Sequence, residues 1–173
     1  MTTNVDHLFQ NNGFDKAKLF YTQGDYGLFQ CSTPCHKKTY DNEKFVRKMF
    51  AEEKNFSVPE EYFPRCPKCG EVMTTNLRAD DKFVEDSGWH AAAYRYKKFL
   101  SQYLDKEIIF LELGVGLNTP GIIKYPFWKF TSENPKAKYI CINKGESFAP
   151  KEIINQSYLI DADIKEVLMK IEK

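Results

Sequence analysis

Four of the five cysteines in this chain form two short-spaced pairs, Cys31 with Cys35 and Cys66 with Cys69. No other feature limits the fold so sharply. Each pair can clamp two corners of a tetrahedral ion from one tight turn, so a shared ion forces the two turns together. The second pair lies in "PRCPKCGE", where Gly70 suits a left-handed turn. Disulfides are the competing use of such cysteines. The start, Met1-Thr2-Thr3-Asn4, lacks the charged and apolar regions of a signal peptide, and no apolar run approaches the length of a membrane span. The expected compartment is therefore the cytoplasm, where clustered cysteines read as metal ligands. Four thiolates leave no open coordination position, so the expected ion is a structural zinc. His36 could replace one thiolate, but four cysteines already complete the shell. Cys141 stands mid-strand in "YICIN" and reads as a small core residue, with a nucleophile as the alternative.

The rest of the chain can bury a core. It has 173 residues, 42% of them apolar and 15% aromatic, which describes a globular chain of one domain or one domain with a small insert. Formal net charge is +1, so no basic excess points to nucleic acid. The basic "CHKK" and "VRK" share their module with "AEEK" and "PEEYF", which leaves no one-signed patch. No nucleic-acid or membrane partner is expected.

Periodicity gives the order of elements. Ala17 to Tyr21 reads as a short strand running into a glycine loop. Asp41 to Lys54 reads as a helix capped by Asp41, with Phe45, Met49 and Phe50 at helical spacing. From Ser87 a helix carries the stripe Trp89, Ala93, Tyr96, Leu100 and Tyr103. Then strands and helices alternate: Ile108 to Leu113, a glycine turn into a short helix, Lys138 to Asn143, Ser157 to Ile160, and a helix from Asp163 to the end. That alternation predicts α/β architecture with a parallel sheet.

The junction "LELGVGLNTPG" suits an anion. Gly114 and Gly116 follow a strand, Thr119 can cap a helix and Pro120 suits its first position. Backbone N–H groups and the helix dipole at such a junction favour a phosphate, although a plain tight turn has the same spelling. Asn143 ends the next strand. If the two strands are neighbours it lies beside this turn, where ligands of open parallel sheets bind. It then contacts a ribose or base, or else caps its own loop.

Five segments in this order resemble the sirtuins, the NAD-dependent protein deacylases and ADP-ribosyltransferases. "TTNVDHLFQNNG" is similar to their "TQNxDxLHxxAG", and the cysteine pairs stand where they carry a zinc module. "GVGLNTPG" stands at their "GTSLxVxP", "INKG" at their "IN" motif, and "DADIKEVLMKI" at their closing helix. The resemblance implies a partial Rossmann-like parallel sheet built from 1–30 and 77–173, with a zinc-binding module inserted at 31–76. It implies NAD as cofactor and a protein as substrate. By position, Asn4 and Asp6 would lie near the nicotinamide ribose. Gly114, Gly116 and Asn118 would face the ribose and phosphate. Asn143 and Lys144 would reach the adenosine ribose, and Asp163 and Ile164 the adenine edge.

The departures narrow the activity. The family's catalytic histidine is replaced by Gln23, whose amide cannot take up a proton near neutral pH and can only hydrogen-bond and orient. Their "FGE" appears as "FVED", with Val84 in place of a glycine that lies against the substrate peptide. Both changes speak against lysine deacetylation and resemble the macrodomain-linked microbial sirtuins, which implies protein ADP-ribosylation. His7 stands where the family has a small residue or glycine, and its role is not readable from the sequence. The family's "GAGxS" loop and "GIPDFR" segment do not occur in this sequence, which a truncated gene, a split protein with a second chain, or dimerisation would each explain; the bare apolar sheet edge this leaves predicts a second copy or a second chain. The alternative to an enzyme is a zinc-stapled binding or scaffold module without catalysis.

Overall fold

The computed structural model describes residues 1–171. They form two compact units that divide between Tyr96 and Lys97. No helix among the described residues is long and apolar enough to cross a membrane.

In the first unit, a short helix α1 (Leu8–Asn11) precedes strand β1 (Gly24–Cys31). β2 (Tyr40–Asp41), helix α2 (Glu43–Glu52) and β3 (Met73–Leu77) follow, and the strands form an antiparallel sheet in the order β2-β1-β3. The expected strand at 17–21 is split: its start falls in a single turn of 3-10 helix, Lys16–Lys18, capped by Asp15, whose Oδ1 accepts the Ala17 N–H at 2.8 Å, and from Leu19 the chain is extended, with Tyr21 bridged to Thr2. Two exposed lysines flank Ala17 in the turn, and the buried side chains of the stretch are Leu19 and Phe20 beyond it. α2 begins two residues after Asp41, whose carboxylate accepts the Glu43 N–H at 3.1 Å. Of its expected apolar face, Met49 packs on the core and the half-exposed Phe45 ring lies 6.3 Å from that of Phe29, whereas Phe50 is 78% exposed.

β1 and β3 pair at both ends, Gly24↔Leu77 and Cys31↔Met73, with an irregularity between Asp25 and Phe29. Gly24 makes the close crossing possible. Its φ is +97°, and a Cβ there would overlap the Asn76 carbonyl. The core of this sheet is Phe29, Cys31, Cys66 and Met73. Helix α3 (Ser87–Ser101) follows. Asp86 caps it, accepting the Trp89 N–H at 2.8 Å.

The second unit is the parallel sheet the alternation predicts. β4 (Ile108–Leu113), β5 (Ala137–Ile142) and β6 (Ser157–Ile160) lie in that order, with α4 (Lys124–Glu133) between the first two and α5 (Ile164–Ile171) after the last. The register runs from Ile108↔Ala137 to Leu113↔Ile142, and from Tyr139↔Ser157 to Ile142↔Ile160. Phe110, Ala137, Tyr139, Cys141 and Ile153 form the core. α4 starts at Lys124, later than Thr119 and Pro120 imply, because residues 118–123 are spent in turns. The closing helix is described to Ile171; residues 172–173 lie outside the described residues.

β4 stands at the end of its sheet, and its residues alternate. Phe110 and Glu112 are buried, while Ile109, Leu111 and Leu113 are exposed by 62%, 45% and 42%. Parallel strands normally bury both faces, so three exposed aliphatic side chains mark an uncovered apolar strip.

Candidate functional site

The four paired cysteines converge. Cys31 ends β1, Cys35 follows in the next loop, and Cys66 and Cys69 share a turn closed by the Gly70 N–H on the Cys66 carbonyl at 2.9 Å. All four sulfurs lie within 4.8 Å of one another. Cys31 Sγ is 3.5 Å from Cys69 Sγ, and Cys35 Sγ is 3.6 Å from Cys66 Sγ. Four sulfurs bound tetrahedrally at ~2.3 Å stand about 3.8 Å apart, so the spacing fits a shared ion. None is in a disulfide.

The electrostatics point the same way. Burial opposes ionisation of Cys31, but the Cys35 and Thr33 N–H groups and the Thr33 hydroxyl outweigh it and hold the thiol down at about 6. Desolvation, then contacts with the other three sulfurs, push Cys35 up to about 12. One thiolate suppresses the next unless a cation sits among them. His36 does not take a thiolate's place. Its Nδ1 lies 3.0 Å from Cys35 Sγ and its Nε2 lies 2.8 Å from the Tyr40 hydroxyl, so the ring braces a ligand from outside the cluster.

A second polar cluster in the first unit gathers the residues around Gln23. Thr2 bridges Tyr21 in parallel, and the Tyr26 N–H donates to the Val5 carbonyl at 2.8 Å. Residues 2–7 therefore run beside 20–27. This brings Asn4, Asp6 and Gln23 into one neighbourhood. Asn4 is exposed, and its N–H donates to Thr2 Oγ1 at 3.0 Å. Asp6 is exposed and accepts the Leu8 N–H at 3.1 Å. Gln23 Oε1 is buried and has no hydrogen-bond partner among the described residues.

The pair His7–Asp25 belongs to this cluster, and the sequence pattern alone does not join them. His7 holds φ 58°, the left-handed conformation that explains a glycine at this place in the pattern it resembles. Its Nδ1 lies 2.6 and 2.8 Å from the two carboxylate oxygens of Asp25, which is only 2% exposed. Asp25 also accepts from Gln10 Nε2 at 2.6 Å and from the Gly27 N–H at 2.7 Å. Asp25 stands at the start of the irregularity in β1. A side chain at Gly27 would put its Cβ 2.6 Å from His7 Nδ1. The available signal was a histidine at a glycine position, two short polar segments away from an unexplained Asp-x-Gly.

Val84 is 4% exposed, and both its backbone groups are used. Its N–H donates to Gln30 Oε1 at 2.9 Å, and its carbonyl accepts from Asn76 Nδ2 at 3.1 Å. Asn76 in turn donates to Gln30 Oε1 at 2.7 Å. This buried amide pair leaves the Val84 backbone nothing to offer an incoming peptide strand.

In the second unit the glycine turn and the end of β5 meet as expected. The Gly114 N–H donates to the Ile142 carbonyl at 3.0 Å, and Asn143 Nδ2 donates to the Val115 carbonyl at 3.2 Å. Gly114 has φ +65°, and a Cβ on it would lie 3.1 Å from Ile164 Cδ1. Gly114, Asn143 and Ile164 thus share one corner at the carboxyl ends of β4 and β5. Gly116 lies by Glu146, whose Oε2 would be 3.5 Å from its Cβ. Asp163 accepts the Glu166 N–H at 3.1 Å and so caps α5. Asn118 and Lys144 are exposed.

Beneath this corner lies a buried polar group that the sequence pattern hid inside "IIFLEL". Lys124 Nζ donates to Glu112 Oε1 at 2.6 Å, with both side chains 0% exposed. The Tyr139 hydroxyl donates to Glu112 Oε2 at 2.5 Å, and the Cys141 thiol lies 3.4 Å from Oε1. Desolvation, then the Glu112 contact, raises the Tyr139 hydroxyl above its ordinary range. Cys141 is fully buried, and its thiol is raised by desolvation and by the Glu112 charge, as suits a core residue.

No family model matches the chain. Over 169 residues, 97% of its length, it is 38% identical to a "Protein ADP-ribosyltransferase" of Staphylococcus aureus strain Mu50 and covers 54% of that protein. Over 139 residues it is 30% identical to a "Probable bifunctional ADP-ribose hydrolase/ADP-ribosyltransferase" of Fusarium oxysporum f. sp. cubense, covering 22% of that protein. The chain therefore spans about half the length of the first of these relatives and less of the second. Among solved structures, "Sir2 bound to acetylated peptide" aligns with 98% of this chain and 60% of its own, at TM-score 0.64 and 19% identity. "Sir2-p53 peptide-NAD+" aligns over the same shares at TM-score 0.63 and 18% identity. The structural likeness shows that the chain has the fold of these Sir2 structures, and the sequence likeness relates it over nearly its whole length to part of a protein ADP-ribosyltransferase.

Proposed function

We propose that this chain is a sirtuin-like domain that takes part in NAD-dependent transfer of ADP-ribose to a protein, with a structural zinc in its cysteine module. The observation that carries the reading is the corner where Gly114, Asn143 and Ile164 meet at the carboxyl ends of parallel strands. Such corners hold nucleotides because glycine lets a phosphate approach backbone and the strand ends leave polar groups free. Gly114, Gly116 and Asn118 are assigned to the ribose and phosphate, Asn143 and Lys144 to the adenosine ribose, and Asp163 and Ile164 to the adenine edge. Asp163 already caps α5, so its share is the weaker one.

Asn4, Asp6 and Gln23 are assigned to the nicotinamide ribose. Breaking the bond between C1′ and the nicotinamide nitrogen builds positive charge on the sugar, and the Asp6 carboxylate stabilises it electrostatically. Gln23 orients the ribose through its unpartnered Oε1, which needs a hydroxyl donor. It cannot serve as the base that lysine deacylation uses. The closed backbone of Val84 also argues for a different acceptor geometry.

Zinc is the ion we assign to Cys31, Cys35, Cys66 and Cys69, since a four-sulfur shell at this spacing suits it and leaves no site for chemistry. We place the module at 31–76, inserted in a Rossmann-like portion of 1–30 and 77–173, and the protein in the cytoplasm. The uncovered Ile109, Leu111 and Leu113 strip favours a second copy or second chain against β4. The test is incubation with labelled NAD. Nicotinamide release together with ADP-ribose found on protein by mass spectrometry supports the reading. Removal of acetyl groups from lysine without ADP-ribose on protein contradicts it.

A further inference from the structure

With Gln23 at the base position, the transfer has no evident destination for a proton. We propose that His7 is that destination, held in one tautomer by Asp25, so that the base of this chain has moved to a new element. The proposal rests on the NAD reading above.

The geometry sets the roles. The Asp25 carboxylate accepts from Gln10 Nε2, the Gly27 N–H and His7 Nδ1, at 2.6 to 2.8 Å. A carboxylate can only accept, so the ring hydrogen sits on Nδ1 and the lone pair on Nε2. No hydrogen bond among the described residues uses Nε2, and the His7 side chain keeps 32% of its surface open. A carboxylate that orients a histidine whose far nitrogen stays free is the arrangement general bases use. Asp25 is the positioning residue.

Its location and its cost both favour chemistry over bracing. His7 follows Asp6 directly, and Asp25 is two residues beyond Gln23, so the pair lies among the groups assigned to the nicotinamide ribose. A non-glycine residue at φ 58°, a carboxylate 2% exposed, an irregular strand and a bare glycine at 27 are all needed to seat this pair. A brace between the same two segments already exists in the Tyr26 N–H bond to the Val5 carbonyl. Costly local geometry of this kind clusters where side chains act.

The step balances without an oxidant or a second cofactor. The C1′–N bond of NAD breaks, and neutral nicotinamide leaves with the electron pair. A bond forms between C1′ and the acceptor oxygen or nitrogen. The acceptor's proton passes to His7 Nε2. With water as acceptor, the product is free ADP-ribose.

The experiment uses the full chain and NAD alone, following nicotinamide release with water or with azide as the nucleophile. His7→Gln and Asp25→Asn should each slow the water reaction by ~10²–10⁴-fold, the range of general-base assistance, with KM for NAD unchanged. Azide carries no proton to remove, so it should restore turnover in His7→Gln. In the unaltered chain, ring ¹⁵N spectra should show hydrogen on Nδ1 and an Nε2 signal that moves when ADP-ribose is added. Hydrogen on Nε2, an Nε2 signal indifferent to bound ADP-ribose, wild-type turnover in His7→Gln, or a loss that azide does not repair and that raises KM in parallel would each overturn the proposal. Turnover of NAD that ignores both substitutions sinks this proposal alone. An unaltered chain that neither binds nor consumes NAD sinks the NAD reading, and this proposal with it.

Discussion

Asn143 Nδ2 donates to the Val115 carbonyl across 3.2 Å, so the end of β5 is tied to the glycine turn that follows β4. The tie holds the turn open beside Gly114. Asn143→Ala removes a partly buried hydrogen bond, which costs about 1 kcal/mol of stability. It should weaken ADP-ribose binding further than Asn118→Ala does, because Asn118 is exposed and ties nothing down. Calorimetric titration of both variants checks the order.

Removing the metal should unfold the first unit before the second. The Cys31, Cys35, Cys66 and Cys69 sulfurs are the only described group of three or more metal-binding side chains that converge. A chelator should release one zinc per chain, measured by emission spectroscopy. Four thiols should then react with a disulfide reagent, while Cys141 stays silent until denaturant is added. Five reactive thiols before chelation would contradict the metal assignment.

The buried pair of Lys124 and Glu112 should behave as a unit. Lys124→Met leaves the Glu112 carboxylate buried with only Tyr139 and Cys141 beside it, and should cost about 3–5 kcal/mol. Lys124→Met combined with Glu112→Leu removes both charges and should recover most of that loss. Urea melts of the two variants and the parent close the cycle.

Alkaline pH should destabilise the fold through its buried tyrosines. Desolvation pushes Tyr96 up to about 12, and raises Tyr139 as well. Their unfolded hydroxyls ionise near pH ~10. Between those values the unfolded chain binds fewer protons than the folded one, so stability is full below about pH 10 and falls as pH rises toward the folded values. Urea midpoints measured from pH 8 upward should be level first and then decline.

Much of the second unit was legible because its signals are local. Parallel strands in "IIFLEL" and "KYICIN" announce themselves by apolar runs, and Gly114 by its place after one of them. The convergence of the four cysteines was legible because cysteine spacing encodes geometry directly. The first unit was harder. Ala17 to Tyr21 reads as one strand by apolar content, yet the Asp15 cap turns its start into 3-10 helix and only the part from Leu19 is extended. His7 and Asp25 meet where β1 is irregular and Gly27 lacks a side chain. Neither fact is written in periodicity. Glu112 and Lys124 were hidden for the same reason: a charge inside an apolar strand is explained by its partner, and the partner lies on another element.

The most direct test of the account is titration of the intact, zinc-supplemented chain with NAD. The account predicts saturable binding below millimolar NAD, weakened by Asn143→Ala. A folded, zinc-loaded chain that shows no heat, no spectral shift and no protection with NAD would contradict it and leave a scaffold module in its place.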